Sequence, residues 1–534
     1  MTREPPFNRG AAWLLSLLLA LGGCTLGPDF IKPQAEVRDN WNERGDPRVA
    51  TQTAVDRRWW SVFNDPTLDQ LIQVASRQNL PLQIAGLRIM EARARLGLAI
   101  GGRYPQQQET FGSVTKFGLS QNTANGSGAD RNHWDYQVGF DAIWELDFWG
   151  KFRRDVEASH ADLTASVVDY DDALVSLTAE VARTYTVIRT NEVLIELAAE
   201  NVQLQEEGLR IAESRFRNGV TTELDVTQAQ TLLESTRAAI PQLQTQLRQA
   251  QNALTTLLGQ PPGSVQTYLA ERKGVPVAPV HVAVGVPAEL LRRRPDIRSA
   301  ELAAAAQCAR IGIAQADLYP SFSLFGEFGF QTSGQGGMQS GHADLSNLWD
   351  AHSFFYSFGP RLKWPLFNYG RLKNQVRIQD ARFQQLLVNY QNTVLKATQE
   401  VEDTLTGFLK AQEAAAFEQN AVNAARRSVG IALTQYKEGA ADYQRVLDTQ
   451  RALLQEQNNL TQTRSSIATN LIALYKALGG GWELRQGQPI LAESTRIEMQ
   501  KRTDWGRLLA PQPVAETSKQ PSAREIPILQ KPDW

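Results

Sequence analysis

Two stretches of this chain, each roughly 200 residues long, are versions of one another. Leu82-Gln83-Ile84-Ala85-Gly86-Leu87 can be laid on Ile297-Arg298-Ser299-Ala300-Glu301-Leu302, and Tyr104-Pro105 on Tyr319-Pro320, with an offset of 215 residues. Further on the offset becomes 220: Trp144 falls on Trp364, Leu146 on Leu366, Gly150 on Gly370, Glu180-Val181 on Glu400-Val401, Gly219 on Gly439 and Leu258-Gly259 on Leu478-Gly479. The five additional residues belong between Pro320 and Trp364, where the second copy carries the glycine-rich run Ser333-Gly334-Gln335-Gly336-Gly337. A length of 534 residues would otherwise suggest about three domains. A duplication instead predicts two like halves building one elongated unit, with repeats at residues 66–270 and 271–483.

Within each copy the period of the apolar pattern changes. Residues 82–100 and 297–318 are alanine-rich and predict helices, the second opening on Pro295-Asp296, a pair suited to a first helical turn. Tyr-Pro closes both. Next, Tyr136, Val138, Phe140, Ala142, Trp144, Leu146 and Phe148 alternate with Gln137, Gly139, Asp141, Ile143, Glu145 and Asp147, which is a strand with one greasy and one mostly acidic face. The second copy alternates Phe354, Tyr356, Phe358, Leu362, Trp364 and Leu366 with Ser357, Gly359, Arg361 and Lys363. Weaker alternation around residues 111–117 and 322–330 supplies a partner for each, giving strand pairs at about 106–148 and 321–366.

Long helices follow, near residues 152–216 and 372–436, with no proline in either. At 1.5 Å per residue each extends on the order of 100 Å, longer than a globular core can use. Gly219 and Gly439 turn the chain back. The returning helices carry Ile240, Leu243, Leu247, Ala250, Leu254 and Leu257, and in the copy Leu453, Leu460, Ile467, Leu471, Leu474 and Leu478, at coiled-coil spacing. The helical regions therefore span about 152–258 and 372–478, with a kink expected at Pro241.

The N-terminus reads as a secretory signal over residues 1–23: Arg3 and Arg9, then an apolar run from Ala11 to Leu21. That run is too short for the roughly 20 residues of a spanning helix. Its end, Leu21-Gly22-Gly23-Cys24, resembles a bacterial lipobox; the resemblance implies that Cys24 bears lipid and that 24–65 is a lipid-anchored segment, and by the sorting rule of such lipoproteins Thr25 after the cysteine points to the outer membrane. No other stretch approaches 18 apolar residues, so any integral part must be made of strands. Four strands per chain cannot close a barrel whose smallest members have about eight, and open edges are not tolerated in lipid. Membrane strands here require an oligomer.

Composition bears mainly on what is missing. With 55 basic against 57 acidic residues and a net charge of −2, the chain has no polyanion-binding character, and Arg292-Arg293-Arg294 reads as a solvated helix entry rather than a nucleic-acid contact. Two cysteines and five scattered histidines offer no metal-ligand spacing, and no strand leads into a phosphate-binding glycine loop, so neither cofactor nor enzymatic chemistry is expected. Cys308, in an alanine-rich helix, reads as a packing residue. The prolines at 489, 511, 513, 521, 527 and 532 predict a flexible periplasmic tail over 484–534.

Leu290-Leu291-Arg292-Arg293-Arg294-Pro295-Asp296-Ile297, continuing through Ala300-Glu301 and Ile311-Gly312 to Tyr319-Pro320, resembles the signature of the TolC-like outer-membrane efflux proteins, most closely the OprM-type lipoproteins. Gly27-Pro28-Asp29-Phe30, Trp59-Trp60, Phe63-Asn64-Asp65-Pro66 and Ala477-Leu478-Gly479-Gly480-Gly481-Trp482 support it, so that the resemblance covers residues 20–483. It implies a mixed α and β membrane protein: a homotrimer whose four strands per chain form one 12-strand barrel, continued by a periplasmic tunnel of helical hairpins. It further implies that the turns at Gly219-Val220 and Gly439-Ala440 meet a periplasmic adaptor, itself joined to an inner-membrane transporter, expected to be proton-driven. Asp448 matches a position that forms an acidic ring at the family's constriction, and Arg445 stands where another member type has a second aspartate.

The leading expectation is a passive outer-membrane exit duct for small toxic compounds. Two others stand beside it: the exit duct of a type I protein secretion system, and a lipid-anchored structural spacer with no pore.

Overall fold

The computed structural model describes residues 25–50, 58–118, 120, 122, 132–269, 274–288, 293–335 and 345–509. The signal segment, Cys24, the last two residues of the glycine-rich run (336 and 337) and residues 510–534 lie outside them.

Among the described residues there are six strands. β1 (Val49–Ala50) and β4 (Val282–Ala283) form a short parallel pair. The other four make one antiparallel sheet: β2 (Gln107–Gly118), β3 (Asn132–Leu146), β5 (Ser321–Gln335) and β6 (Phe354–Lys363), in the order β2-β3-β5-β6. Register shows why the alternation in the sequence works. Val138, Phe330 and Phe354 lie abreast, as do Phe140, Phe328 and Tyr356, and Leu146, Phe322 and Leu362, so one face is apolar across three strands. The other face brings Asp141 beside Glu327, and Asp135 accepts hydrogen bonds from Gln331 (3.1 Å) and Ser333 (2.7 Å). Glycine is required where Gly139 and Gly329 adjoin: a Cβ on Gly139 would lie 2.6 Å from the Phe111 ring, and one on Gly329 only 2.3 Å from the Val138 carbonyl. Among the described residues the outer strands β2 and β6 each have one unpaired edge.

The duplication extends to element ends. α2 (Leu80–Gly101) and α5 (Pro295–Ala316) have 22 residues each, α3 (Lys151–Arg217) and α6 (Arg371–Lys437) have 67, and α4 (Glu223–Leu257) and α7 (Tyr443–Ala477) have 35. α1 (Pro66–Gln78) precedes α2 and α8 (Glu493–Arg502) follows α7. Both long helices start after a left-handed glycine, Gly150 (φ 72°) and Gly370 (φ 79°). In the first repeat Asp147 adds a cap, accepting from the backbone of Phe152 and Arg153 at 3.0 Å each. α4 runs on through Pro241 without a break.

α3 packs on α2, α4, α5 and α7, while α6 packs on α5 and α7. The main core lies midway along the helices, where Trp59, Trp60, Phe63 and Leu71 meet Tyr185, Ile188, Val401, Phe408 and Leu471. Trp59 stacks on Tyr475 with ring centroids 5.5 Å apart. No helix among the described residues is long and apolar enough to cross a membrane.

Two expectations are corrected. Residues 484–509 are not a flexible tail. α8 buries Met499 in the main core, the turn Gly506–Leu509 adds Leu509, and Arg485 forks onto Asp171 of α3 at 2.5 and 3.1 Å. Pro489 precedes α8 rather than interrupting it, so a proline count says little about residues 490–509. Arg294 is also not solvated. It is buried at the start of α5, bonded to Asp296 and Glu400 (2.7 Å each) and to the Ala477 carbonyl (3.0 Å), and so ties the second repeat's helices together.

Candidate gate at the hairpin tips

α3 and α4 form one hairpin and α6 and α7 the other, and both turn in the same way. Val220 N–H reaches back to the Arg215 carbonyl (2.9 Å) and Ala440 N–H to the Gln435 carbonyl (2.8 Å), each across a left-handed glycine, Gly219 (φ 69°) or Gly439 (φ 79°). This closure satisfies the last carbonyls of the outgoing helix, and a side chain with a Cβ would be strained there.

The side chains at the two tips differ. The first exposes Phe216, Val220 and Leu224, an apolar surface around its turn. The second turns Tyr436 and Tyr443 inward, ring centroids 5.1 Å apart, into a small core with Ala212, Ala229, Val446 and Leu447. Burial raises the pKa of both phenols, so they remain neutral donors at physiological pH.

Tyr436 also joins the hairpins. Its hydroxyl donates to Asp225 of α4 (3.2 Å), which accepts as well from Thr221. Its carbonyl accepts from Arg215 of α3 (2.5 Å), whose guanidinium lies 4.8 Å from the centre of its ring. A carboxylate, a phenol and a guanidinium from three helices thus hold the two tips side by side, with hydrogen bonds to charged groups that are each worth about 1.5–3 kcal/mol.

Above this clasp the hairpins meet through amides. Asn201 of α3 donates to Gln457 of α7 (2.7 Å), Thr190 to Ser465 (2.8 Å), and Gln450 packs against Gly208. Asn201, Gln205, Gln450 and Gln457 are buried, yet both side-chain polar atoms of Gln205 and the amide oxygens of Asn201 and Gln450 find no protein partner.

Asp448 and Arg445 lie on the exposed side of α7, opposite the buried Val446, Leu447 and Gln450. Asp448 accepts from Gln444 (2.9 Å), and Arg445 is 3.9 Å from Asp442. They are one turn apart, and neither takes part in the clasp. Sequence reasoning missed the clasp, although a signal was present. With the 220 offset Arg215 aligns with Gln435, Phe216 with Tyr436, Glu223 with Tyr443 and Asp225 with Arg445, so the repeats differ at the residues that join them.

At the other end of α3 the N-terminal strap is fixed where strand becomes helix. Leu26 N–H bonds the Trp149 carbonyl (3.0 Å), Thr25 covers Gly150, and Arg154 binds the Leu26 carbonyl (3.0 Å) and Asp29 (2.9 Å). Cys24, the expected lipid site, lies outside the described residues, but the residue after it stands at the base of the sheet. Cys308 is buried beside the strap, its thiol pushed up to about 11 by desolvation, as suits a packing residue. Among the described residues no group of three metal-ligating side chains comes together.

An open-edged sheet with an apolar face, set on paired helices of 67 residues that end in a clasped tip, defines a channel-forming subunit of the bacterial outer membrane. The family model described as outer membrane efflux protein matches residues 71–260 and 286–480, and the chain belongs to that family. It is 31% identical over 435 residues to the pyoverdine export outer membrane protein OpmQ of Pseudomonas putida, covering 81% of this chain and 90% of that protein. It is also 31% identical over 467 residues to the cation efflux system protein CusC of Escherichia coli O6:H1, covering 87% and 97%. The solved outer-membrane channel OprN superposes with a TM-score of 0.79 at 32% identity, over 86% of this chain and all 100% of that one.

Proposed function

We propose that the protein is the exit duct of a tripartite efflux pump, a homotrimer that is lipid-anchored at Cys24 and passively conducts small toxic compounds delivered by an inner-membrane transporter through a periplasmic adaptor. The observation that carries this reading is the pair of unpaired edges on β2 and β6 beside an apolar sheet face, which lipid tolerates only when further copies close the barrel. The exposed Phe216, Val220 and Leu224 of the first tip, with the turn Gly439-Ala440 of the second, form the adaptor-facing end. In this reading the driving force comes from the inner-membrane partner, expected to be proton-driven.

The clasp of Asp225, Tyr436 and Arg215 keeps each subunit's tips together, and Asp448 and Arg445 on the open face of α7 line the narrow end. Threefold symmetry brings three Asp448 carboxylates near one axis, where they favour cations. Single-channel recording at low salt, where screening is weak, tests both parts. Wild type should conduct, with a cation preference that Asp448→Ala weakens while the trimer survives. A protein that inserts into bilayers without conducting would overturn the duct, and unchanged selectivity in Asp448→Ala would move the constriction elsewhere. Asp225→Ala should loosen the tip and raise conductance, because Asp225 belongs to the clasp. Crosslinking in intact cells followed by copurification identifies the adaptor and transporter.

A further inference from the structure

Within the chain the helices nearest the sheet follow one another as α2, α3, α5, α6. α2 on α3 and α5 on α6 are the same contact made once in each repeat. α3 on α5 is the contact between repeats, and the chain builds no comparable packing of α6 on α2. Both faces needed for one are open. On α2, Leu80, Ile84, Arg88, Glu91, Arg95 and Leu98 are exposed and spaced by threes and fours, forming one stripe. Their counterparts on α5, at the 215 offset, include Ser299, Ala306 and Arg310, which seat α3: Ser299 donates to Asp169 (2.5 Å), Arg310 pairs with Asp162, and Ala306 is buried against Ala161.

Carrying these contacts across by the two offsets gives the seam between subunits, and it exposes a charge conflict. Arg310 maps to Arg95 (310 − 215) and Asp162 to Arg382 (162 + 220), so an ion pair inside the chain becomes two facing arginines. The conflict has an answer one turn away. Ala306 maps to Glu91, and Glu91 already holds Arg95 through a single oxygen, Oε1, at 2.6 Å from Nη2 and 3.1 Å from Nε, leaving Oε2 for a second guanidinium. Arg382 is exposed on the open side of α6.

We propose that the exposed stripe of α2 seats the open face of α6 from a second copy of this chain, and that Glu91 bridges its own Arg95 and the neighbour's Arg382. The acid has moved from the long helix in the internal contact to the short helix in the external one, which distinguishes the two contacts electrostatically. A subunit's α6 cannot substitute for its own α3 on α5, because Arg382 would face Arg310 with no carboxylate at Ala306 to separate them. The inference rests on the trimeric reading above and deepens it to named pairs.

The test uses full-length, detergent-extracted protein. Ser299→Cys with Asp169→Cys, the internal pair, should give an intrachain disulfide on oxidation. Ile84→Cys with Asn389→Cys, its external image, should instead link one subunit to the next and yield dimers and trimers in denaturing gels. Glu91→Lys sets three cations together at the seam and should lower the trimer fraction by light scattering at least about tenfold. Adding Arg382→Glu should restore it. A trimer of normal mass in which Ile84→Cys and Asn389→Cys stay unlinked, or a double charge variant no better than Glu91→Lys alone, would overturn this seam while leaving the trimeric reading intact. Absence of any trimer in the wild type would remove that reading itself.

Discussion

α3 and α6 occupy the same place in their repeats and have the same 67 residues of length, yet 29 residues of α3 are buried and only 11 of α6. Over the upper half the contrast is sharper: Val168 and Val175 are buried, while Val388 and Leu395, their images at the 220 offset, are 54% and 64% exposed. α3 is enclosed by its own chain, whereas α6 is a half-finished version of the same packing. One repeat therefore serves as the stable interior of the subunit and the other as its surface for assembly. Sequence similarity between repeats reveals which positions correspond, and says nothing about which copy is covered.

The largest expected effect tests that division directly. Val168→Asp buries a charge inside one chain and should abolish folding, seen as loss of protease-resistant protein. Val388→Asp should leave the chain able to fold and cost several kcal/mol only on assembly, seen as subunits that fail to reach trimer mass. Equal damage from both would erase the distinction. A smaller effect concerns Asp172, whose image is the exposed Asn392. Desolvation, with the nearby Asp296 carboxylate, raises the pKa of Asp172 to about 6 from 3.8. The folded state then binds the extra proton between those values, so stability falls as pH rises from about 4 to about 6 and stays lower above, by at most about 3 kcal/mol. Asp172→Asn should raise Tm at pH 8 and leave it unchanged at pH 3, and Asn392→Asp should do little at either. Smallest is the tip. Tyr436→Phe removes one bond to Asp225, worth about 1.5–3 kcal/mol per subunit, and should raise single-channel conductance. Phe216→Ala, at the corresponding but exposed position, should leave conductance alone and weaken adaptor capture.

Much of the fold was legible because it rests on periodicity. The strand faces followed from the alternation around Tyr136 to Leu146 and Phe354 to Lys363, and the hairpin turns from Gly219 and Gly439. What stayed hidden has no period. The parallel pairing of Val49 with Val282 involves two residues per strand. The packing of α8 turns on Met499 in a mostly polar segment, with prolines nearby that suggested a flexible tail. Arg294 joins a run of like charges in sequence, and only the fold supplies Asp296, Glu400 and the Ala477 carbonyl around it. The clasp depends on residues from three helices, brought together where the repeats disagree.

The amide seam of Asn201, Gln205, Gln450 and Gln457 has a consequence for life in a crowded compartment. Had leucines filled this line, parting the hairpins would cost about 25 cal/mol for each Å² of apolar surface uncovered, and the uncovered strip would adhere to any neighbouring greasy surface. Amides that lack protein partners while the hairpins are together are able to hydrogen-bond water once they are apart. In the gating proposed above, opening would therefore uncover a wettable strip rather than a greasy one, and repeated cycles would not expose a seed for aggregation.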